Sequence, residues 1–259
     1  MMHFMYRYLM FVVILLLHSA VWAAHPLITD DTGTQGAGKF QLEINGQYDY
    51  EKENGAGVTM EERGAEIGST LSYGILDHID IVIGAPYQWF KARQNGAVVA
   101  DEHGISDASI ELKWRFYEKE GLGLAFKPGV GFPTGDEKKE LGSGKTGYHL
   151  FFIGSKEATS WSLHANIGYI CNENKLDEKK DIWHTSIAAT YEIVNDLKIV
   201  GNIGTENNPD ITANNDPAFL ILGAIYSLEE NLDIDAGVKF GLTSSETDLS
   251  LMAGMALRF

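Results

Sequence analysis

Cysteine is almost missing: Cys171 is alone in 259 residues. No intramolecular disulfide and no cysteine zinc cluster can form, and Cys171 reads as a small apolar residue on a strand. Proline is scarce, with 6 residues. Basic side chains number 20 against 36 acidic ones, for a formal charge of −16. That balance excludes nucleic acid as a partner, because nucleic acid selects basic surfaces. Beyond the first two dozen residues no apolar run approaches the roughly 20 residues that a spanning helix needs, and mean hydropathy is −0.12. A helical membrane protein is thereby excluded, but a β-barrel is not, since alternating strands average out in any hydropathy window.

The amino terminus reads as an export signal covering residues 1–23. Arg7 supplies a positive start, Leu9 to Leu17 an apolar stretch, and Val21-Trp22-Ala23 a cleavage site of small residues. No cysteine follows, so lipid attachment is not expected. The mature chain then starts at Ala24 with a charge of −17, because Arg7 is the one charged side chain removed. Glycine is abundant at 28 residues, beside 11 Tyr, 12 Phe and 5 Trp, which suits many strands with tight turns and interfacial aromatics.

The remainder alternates with period two. Strands are predicted at 39–51, 64–75, 79–91, 106–117, 122–133, 147–156, 161–172, 182–193, 197–206, 217–227, 232–243 and 248–259. Their connections run short, long, short, long. Phe40, Leu42, Ile44, Gly46, Tyr48 and Tyr50 share one face of the first, against Gln41, Glu43, Asn45, Gln47 and Asp49. In the last, Leu249 to Phe259 form an apolar face ending on an aromatic, which resembles the closing strand of bacterial outer-membrane barrels. A soluble sandwich would alternate too, but an internal repeat argues for a barrel. Tyr73, Tyr191 and Tyr226 each end an apolar face, and an aliphatic begins the next six residues later, as at Phe116 and Leu122. That spacing places aromatics at one level, as in an interfacial girdle. In 147–156 and 217–227 both parities are apolar, so their facing stays open. Pro86 and Pro128 each remove a ladder donor and point to local bulges or kinks.

The fold expected is therefore all-β: a 12-stranded antiparallel transmembrane barrel over 39–259, after a segment 24–38 that is periplasmic or caps the lumen. His25-Pro-Leu-Ile-Thr-Asp-Asp-Thr-Gly-Thr-Gln-Gly-Ala-Gly-Lys-Phe-Gln-Leu-Glu-Ile44, Tyr73-Gly-Ile-Leu-Asp77, Phe132-Pro-Thr-Gly-Asp136, His164-Ala-Asn-Ile-Gly-Tyr169 and Asp235-Ala-Gly-Val-Lys-Phe-Gly-Leu242 carry a resemblance. Over essentially the whole mature chain it is similar to the "MetA-pathway of phenol degradation" family of outer-membrane transporters. The resemblance implies transport and a link to aromatic catabolism; it supplies no catalytic or binding residues.

Gly142-Ser-Gly-Lys-Thr146 ends like a phosphate-binding loop, but Lys139 stands where that pattern needs glycine, so a flexible loop is expected. His184 and Ser186 share a strand face, the spacing that some outer-membrane phospholipases use, yet a triad needs an orienting third group and an oxyanion hole. His164, Asn166 and His184 could meet across strands as a metal site; polar lining of a wet lumen explains them as well. Acidic clusters at 51–53, 136–140 and 177–181 read as solvated loop tips, with bridging of divalent cations to lipopolysaccharide as the functional alternative.

If Phe116 pairs with Leu122, then Trp114 faces Leu124, Leu112 faces Phe126, and Glu111 faces Lys127 on the inward side. Opposite charges so placed are worth roughly 0.2–1 kcal/mol, or mark a constriction that selects solutes by charge. The inward row Gly123, Ala125, Lys127, Gly129, Gly131 and Pro133 is mostly tiny and leaves space along one wall. Glu43, Glu111, Lys113, Lys127, His164, Asn166, His184, Asp235 and Lys239 are the candidate solute-pathway residues. No catalytic residue, metal or cofactor is assigned.

The reading is a porin-like channel of a Gram-negative outer membrane, with both termini periplasmic, for passive uptake of small solutes, aromatic compounds being the class that the resemblance implies. Its partners would be outer-membrane lipid, lipopolysaccharide and the barrel-insertion machinery. The alternatives are a lipid hydrolase using His184 and Ser186, and a structural barrel without transport.

Overall fold

Period-two alternation leaves most strands one apolar and one polar face, and a sheet closed on itself turns the polar faces inward and pairs its first strand with its last. The computed structural model describes residues 25–55 and 57–259; the signal at 1–23 and the start at Ala24 lie outside the described residues. The strands are β1 Phe40–Gly55, β2 Val58–Leu76, β3 Ile79–Gln94, β4 Ala97–Ile105, β5 Ala108–Lys119, β6 Leu122–Phe132, β7 Gly147–Glu157, β8 Trp161–Cys171, β9 Asp181–Val194, β10 Leu197–Glu206, β11 Ala218–Glu229, β12 Leu232–Gly241 and β13 Leu249–Arg258. Neighbours in sequence pair antiparallel, and β1 pairs with β13 from Gln41–Arg258 to Tyr50–Leu249. The result is a closed barrel of twelve walls, because β4 and β5 make one wall in two pieces. β3 pairs with β5 up to Gly84 and with β4 from Tyr87, so the break falls beside Pro86. The described residues hold one 3-10 turn, Glu137–Lys139, and no helix long and apolar enough to cross a membrane.

All twelve expected walls are present. Two connections differ: 51–64 and 91–106 are not loops but continue the β1–β2 and β3–β4 hairpins to tips at Gly55–Val58 and Gln94–Ala97. Polar and charged residues stand on both faces of those extensions, with Val98 and Val99 adjacent rather than alternating, so the alternation that marks a half-apolar strand fades there.

The short turns are tighter than the repeat suggested. Tyr73 pairs with Ile81, Tyr191 with Ile199 and Tyr226 with Ile234. Each aromatic thus faces a residue eight positions on, two beyond the aliphatic that begins the next face, and each hairpin carries a register shift beside its turn. In β5–β6, Lys119 rather than Phe116 pairs with Leu122, and the ladder shifts by one between Arg115 and Tyr117, so Trp114 faces Phe126 and Glu111 faces Gly129. Its ladder is interrupted opposite Pro128, between the Glu111–Gly129 and Trp114–Phe126 pairs, where a missing N–H leaves nothing to donate.

Outward aromatics gather at the short-turn end. Phe40 lies 4.5 Å from Tyr73 and stacks at 5.5 Å on Phe259; Phe116 stacks at 5.1 Å on Phe126; Trp161 pairs with Tyr191. The open facing of β7 and β11 is resolved. Leu150, Phe152 and Leu222 are outward and exposed, whereas Phe151, Ile153, Phe219 and Ile221 are buried in the barrel interior.

Leu112 is outward and 38% exposed while its neighbour Lys113 is buried. Leu112→Arg is expected to cost ~2–4 kcal/mol if it lies at the bilayer midplane, and Leu112→Met almost nothing. Unfolding from lipid vesicles measures both; equal stability of the two variants would contradict the assigned facing.

Candidate functional site

Residues 25–38 occupy the barrel interior. The chain leaves the foot of β1 through Gly38 and Gly36, where Gly38 N–H donates to the Gly74 carbonyl (2.8 Å), Ala37 N–H to Asp77 (3.1 Å) and Gln35 N–H to the Asp80 carboxylate (3.0 Å). It then rises into the lumen, and the inward rows of the walls receive it. Thr32 N–H donates to Ser155 Oγ (3.0 Å), and Asn202 Oδ1 accepts from Ile28 N–H (2.7 Å) and Thr29 N–H (3.0 Å) while its Nδ2 donates to Thr29 Oγ1 (2.7 Å). His25 pairs with Asp235. The tiny inward residues are what admit the segment. A Cβ on Gly123 would sit 2.1 Å from Thr32 Oγ1, and one on Gly223 would sit 2.8 Å from Pro26. The space expected along β6 is therefore filled by Thr32 and, at Gly129, by the His149 ring.

Asp30 is the centre of this arrangement. Its carboxylate takes Lys113 Nζ on Oδ1 (2.9 Å) and Lys127 Nζ on Oδ2 (3.1 Å). Its backbone is bracketed by the Asn166 amide, which accepts from Asp30 N–H (2.7 Å) and donates to Asp30 C=O (2.9 Å), in the orientation that matches donor to acceptor at both ends. Lys127 also meets Glu111 (2.9 Å), and Glu111 meets His149 Nε2 (2.7 Å). The Glu111–Lys127 pair thus forms as a diagonal contact, although the two residues are not directly opposite. Asp31 lies 3.4 Å from Lys113. Burial pushes the Asp31 carboxyl up, but the Lys113 ammonium, helped by His164 and the Gly33 N–H, outweighs it and brings the group down to about 2. A lowered carboxylate keeps its contribution above the ordinary aspartate range and loses it as pH falls towards 2.

Apolar contacts complete the seat. Leu27 packs with Ala188 and Val200, with Ile225 alongside, and Ile28 packs on Phe219, Ile221 and Met252. The inward aliphatics and aromatics of β11 hold the chain's own segment.

The other expected pathway residues also face inward. Glu43 is buried beside the segment. His164 is held between Ser155 and Ser162, each at 2.8 Å. Lys239 pairs with Glu246 at 2.9 Å. His184 contacts Ser186 Oγ through Nε2 (3.0 Å) and Glu206 through Nδ1 (3.3 Å). That is the order of a serine–histidine–acid relay, but Ser186 is 2% exposed. The Phe219 ring covers neighbouring Gly204, and Phe151 stands edge-on to His184, so the hydroxyl has no room for an ester. His164, Asn166 and His184 point to different partners rather than to one centre. Sequence pattern does not single out Asp30 within the segment, nor Asp77, Asp80, Ser155 and Asn202, which hold it. Asn202 and Ser155 lie on the polar parity of their strands, which is the one signal available for them.

Among the described residues, cavities open at both ends of the barrel. A chamber of about 640 Å³ occupies the short-turn end and reaches Asn45, Glu43, Lys113 and Lys127 inside, with Lys39, Lys198 and Arg258 at its mouth. A smaller vestibule of about 270 Å³ at the long-hairpin end is lined by Glu51, Glu53, Glu62, Glu206, Asp210 and Glu246, and by no basic side chain.

A family model described as "Putative MetA-pathway of phenol degradation" matches residues 29–259. Among solved structures, the chain is similar to a KdgM porin in complex with disordered oligogalacturonate (8% identity, TM-score 0.55, covering 84% of this chain and 99% of that one). It is also similar to the NanC porin (12%, TM-score 0.54, 83% and 98%) and to the translocator domain of the autotransporter NalP from Neisseria meningitidis (12%, TM-score 0.52, 86% and 89%). At these identities the likeness is one of fold, that of outer-membrane barrels. No curated protein matches the sequence.

Proposed function

The chain belongs to that family, and on this premise we propose that it is a porin-like channel of a Gram-negative outer membrane, passing small solutes by diffusion and performing no chemistry on them. One observation carries the reading: inside a closed wall with charged and polar inward rows, residues 25–38 line the short-turn cavity and rest on inward side chains, and no residue lines both cavities. The wall itself leaves a lumen, and the segment closes it. Glu43, Glu111, Lys113, Lys127, His164, Asn166, His184, Asp235 and Lys239 then line the route that a solute takes when the segment moves. Small aromatic molecules are the solute class that the family description favours. Both termini and the short turns would face the periplasm, the long hairpins the outside and its lipopolysaccharide, and the aromatic ring around Phe40 and Phe259 the inner lipid interface. Phe259, at the end of the closing strand, would serve the barrel-insertion machinery.

Permeability and labelling test this reading together. With Cys171 replaced by serine, cysteines placed at Gly55 and Ala97 should react with an impermeant maleimide on intact cells, and one at Asn195 should not. Liposomes holding the purified chain should swell in phenol or benzoate faster than protein-free ones. Vesicles sealed to every small solute would leave a structural barrel as the better account, and external labelling of Asn195 would reverse the orientation.

A further inference from the structure

Two ammonium groups held on one carboxylate, one on each oxygen, are a carboxylate receptor whichever molecule supplies the acid. Lys113 and Lys127 hold Asp30 in that way, and both carboxylates within 4 Å of Lys113, those of Asp30 and Asp31, belong to the docked segment. The pair is not sealed off, because both lysines line the 640 Å³ chamber. Asn45 lines the same chamber; it is 2% exposed, and neither atom of its amide has a partner among the described residues. Val82 and Ile225 add apolar wall beside these polar groups. At the chamber mouth, Lys39 and Lys198 have no carboxylate partner within 4 Å among the described residues, while the opposite vestibule is lined by acids. The chamber carries carboxylates too, but Asp30 and Asp31 lie on Lys113, Asp233 on Arg258 and Asp235 on His25. The vestibule has acids and no cation, so an anion is repelled less at the short-turn end than at the other.

We infer that Lys113 and Lys127 form a binding site for a small carboxylate with an apolar body, reached through the short-turn chamber, and that such a ligand competes with Asp30 and releases the segment. This rests on the reading of residues 25–38 as the closure of the passage. Coupling of this kind is reciprocal: whatever weakens the docking of Asp30 strengthens the ligand by the same factor.

Calorimetry on the full chain in detergent, with benzoate as the probe and benzyl alcohol and benzylamine as neutral and cationic controls, tests the site. Benzoate should bind at least about tenfold more tightly than either control, and Asp30→Asn should tighten it by about tenfold again. Lys113→Met should abolish benzoate binding and Lys113→Arg restore it, with retention of the heat-resistant folded band on gels showing that each variant has assembled. In a Cys171→Ser background, a cysteine at Gly33 should be labelled faster in benzoate than in benzyl alcohol, and Lys113→Met should remove the difference. Equal affinity for benzoate and benzyl alcohol, or an affinity indifferent to Asp30→Asn, overturns the site. Permeation is read separately: sealed liposomes with an intact benzoate response would defeat the channel reading alone, and leaky liposomes without that response would defeat this inference alone.

Discussion

Deletion of residues 25–35 is expected to turn a mostly closed barrel into a continuously open one. The segment is held by the Asp30 carboxylate on two lysines, by Asn166 and Asn202 on its backbone, and by Leu27 and Ile28 in apolar seats. A state favoured by a few kcal/mol leaves its alternative populated at ~0.1–10%. Permanent removal of the segment should therefore raise the time-averaged conductance in a planar bilayer by roughly tenfold or more. The twelve walls pair with each other without it, so the deletion should still assemble. Asn202→Ala, which removes three hydrogen bonds to Ile28 and Thr29, should give intermediate behaviour with frequent brief openings. A deletion that conducts no better than the full chain would show that something other than this segment closes the lumen.

The second large effect concerns stability. Lys127 is 1% exposed and neutralises both Asp30 and Glu111. Lys127→Met leaves two buried carboxylates short of a cation, and breaking a buried pair by removing one partner costs ~3–5 kcal/mol. The loss should appear as a lower urea midpoint in vesicles. Lys127→Met with Glu111→Gln should recover part of it, since the second change removes one of the stranded charges. A single variant as stable as the parent would mean that water in the adjoining chamber screens these carboxylates once the lysine is gone.

The legibility of the structure in the sequence follows the solvent on each face. Where a wall meets lipid outside and water or polar groups inside, as in Phe40–Tyr50 or Leu249–Phe259, alternation identifies the strand and its facing at once. Alternation fails on β7 and β11, because Phe151, Ile153, Phe219 and Ile221 are apolar on the inward side as well, and on β11 they pack against Ile28. It also fails on the outer parts of the β1–β2 and β3–β4 hairpins, which rise beyond the apolar zone and carry polar residues on both faces. The β5–β6 turn falls so that Lys119 pairs with Leu122, whereas pairing Phe116 with Leu122 puts Glu111 opposite Lys127, and the apolar spacing does not mark the difference. Their ion pair was nevertheless legible, because long side chains reach a diagonal neighbour as readily as a facing one. Asp30 could not be picked out of a stretch rich in Thr, Asp and Gly. Its importance lies in two lysines more than eighty residues away.

The contacts of the segment also fix an order of events in biogenesis. Residues 25–38 are synthesised before every strand on which they rest, yet their partners, from Asp80 and Lys113 through Ser155 and Asn202 to Asp235, are spread over nearly the whole later chain, with separations of 45 to 210 residues. Contacts so distant in sequence form late, after the loop entropy between them has been overcome by the pairing of neighbouring hairpins. The seats for Leu27, Ile28 and Asp30 come into being only when opposite walls face each other across the interior. A newly inserted barrel is therefore complete in its wall before it is filled, and it crosses a leaky stage during assembly that ends when its earliest-made residues find their places last.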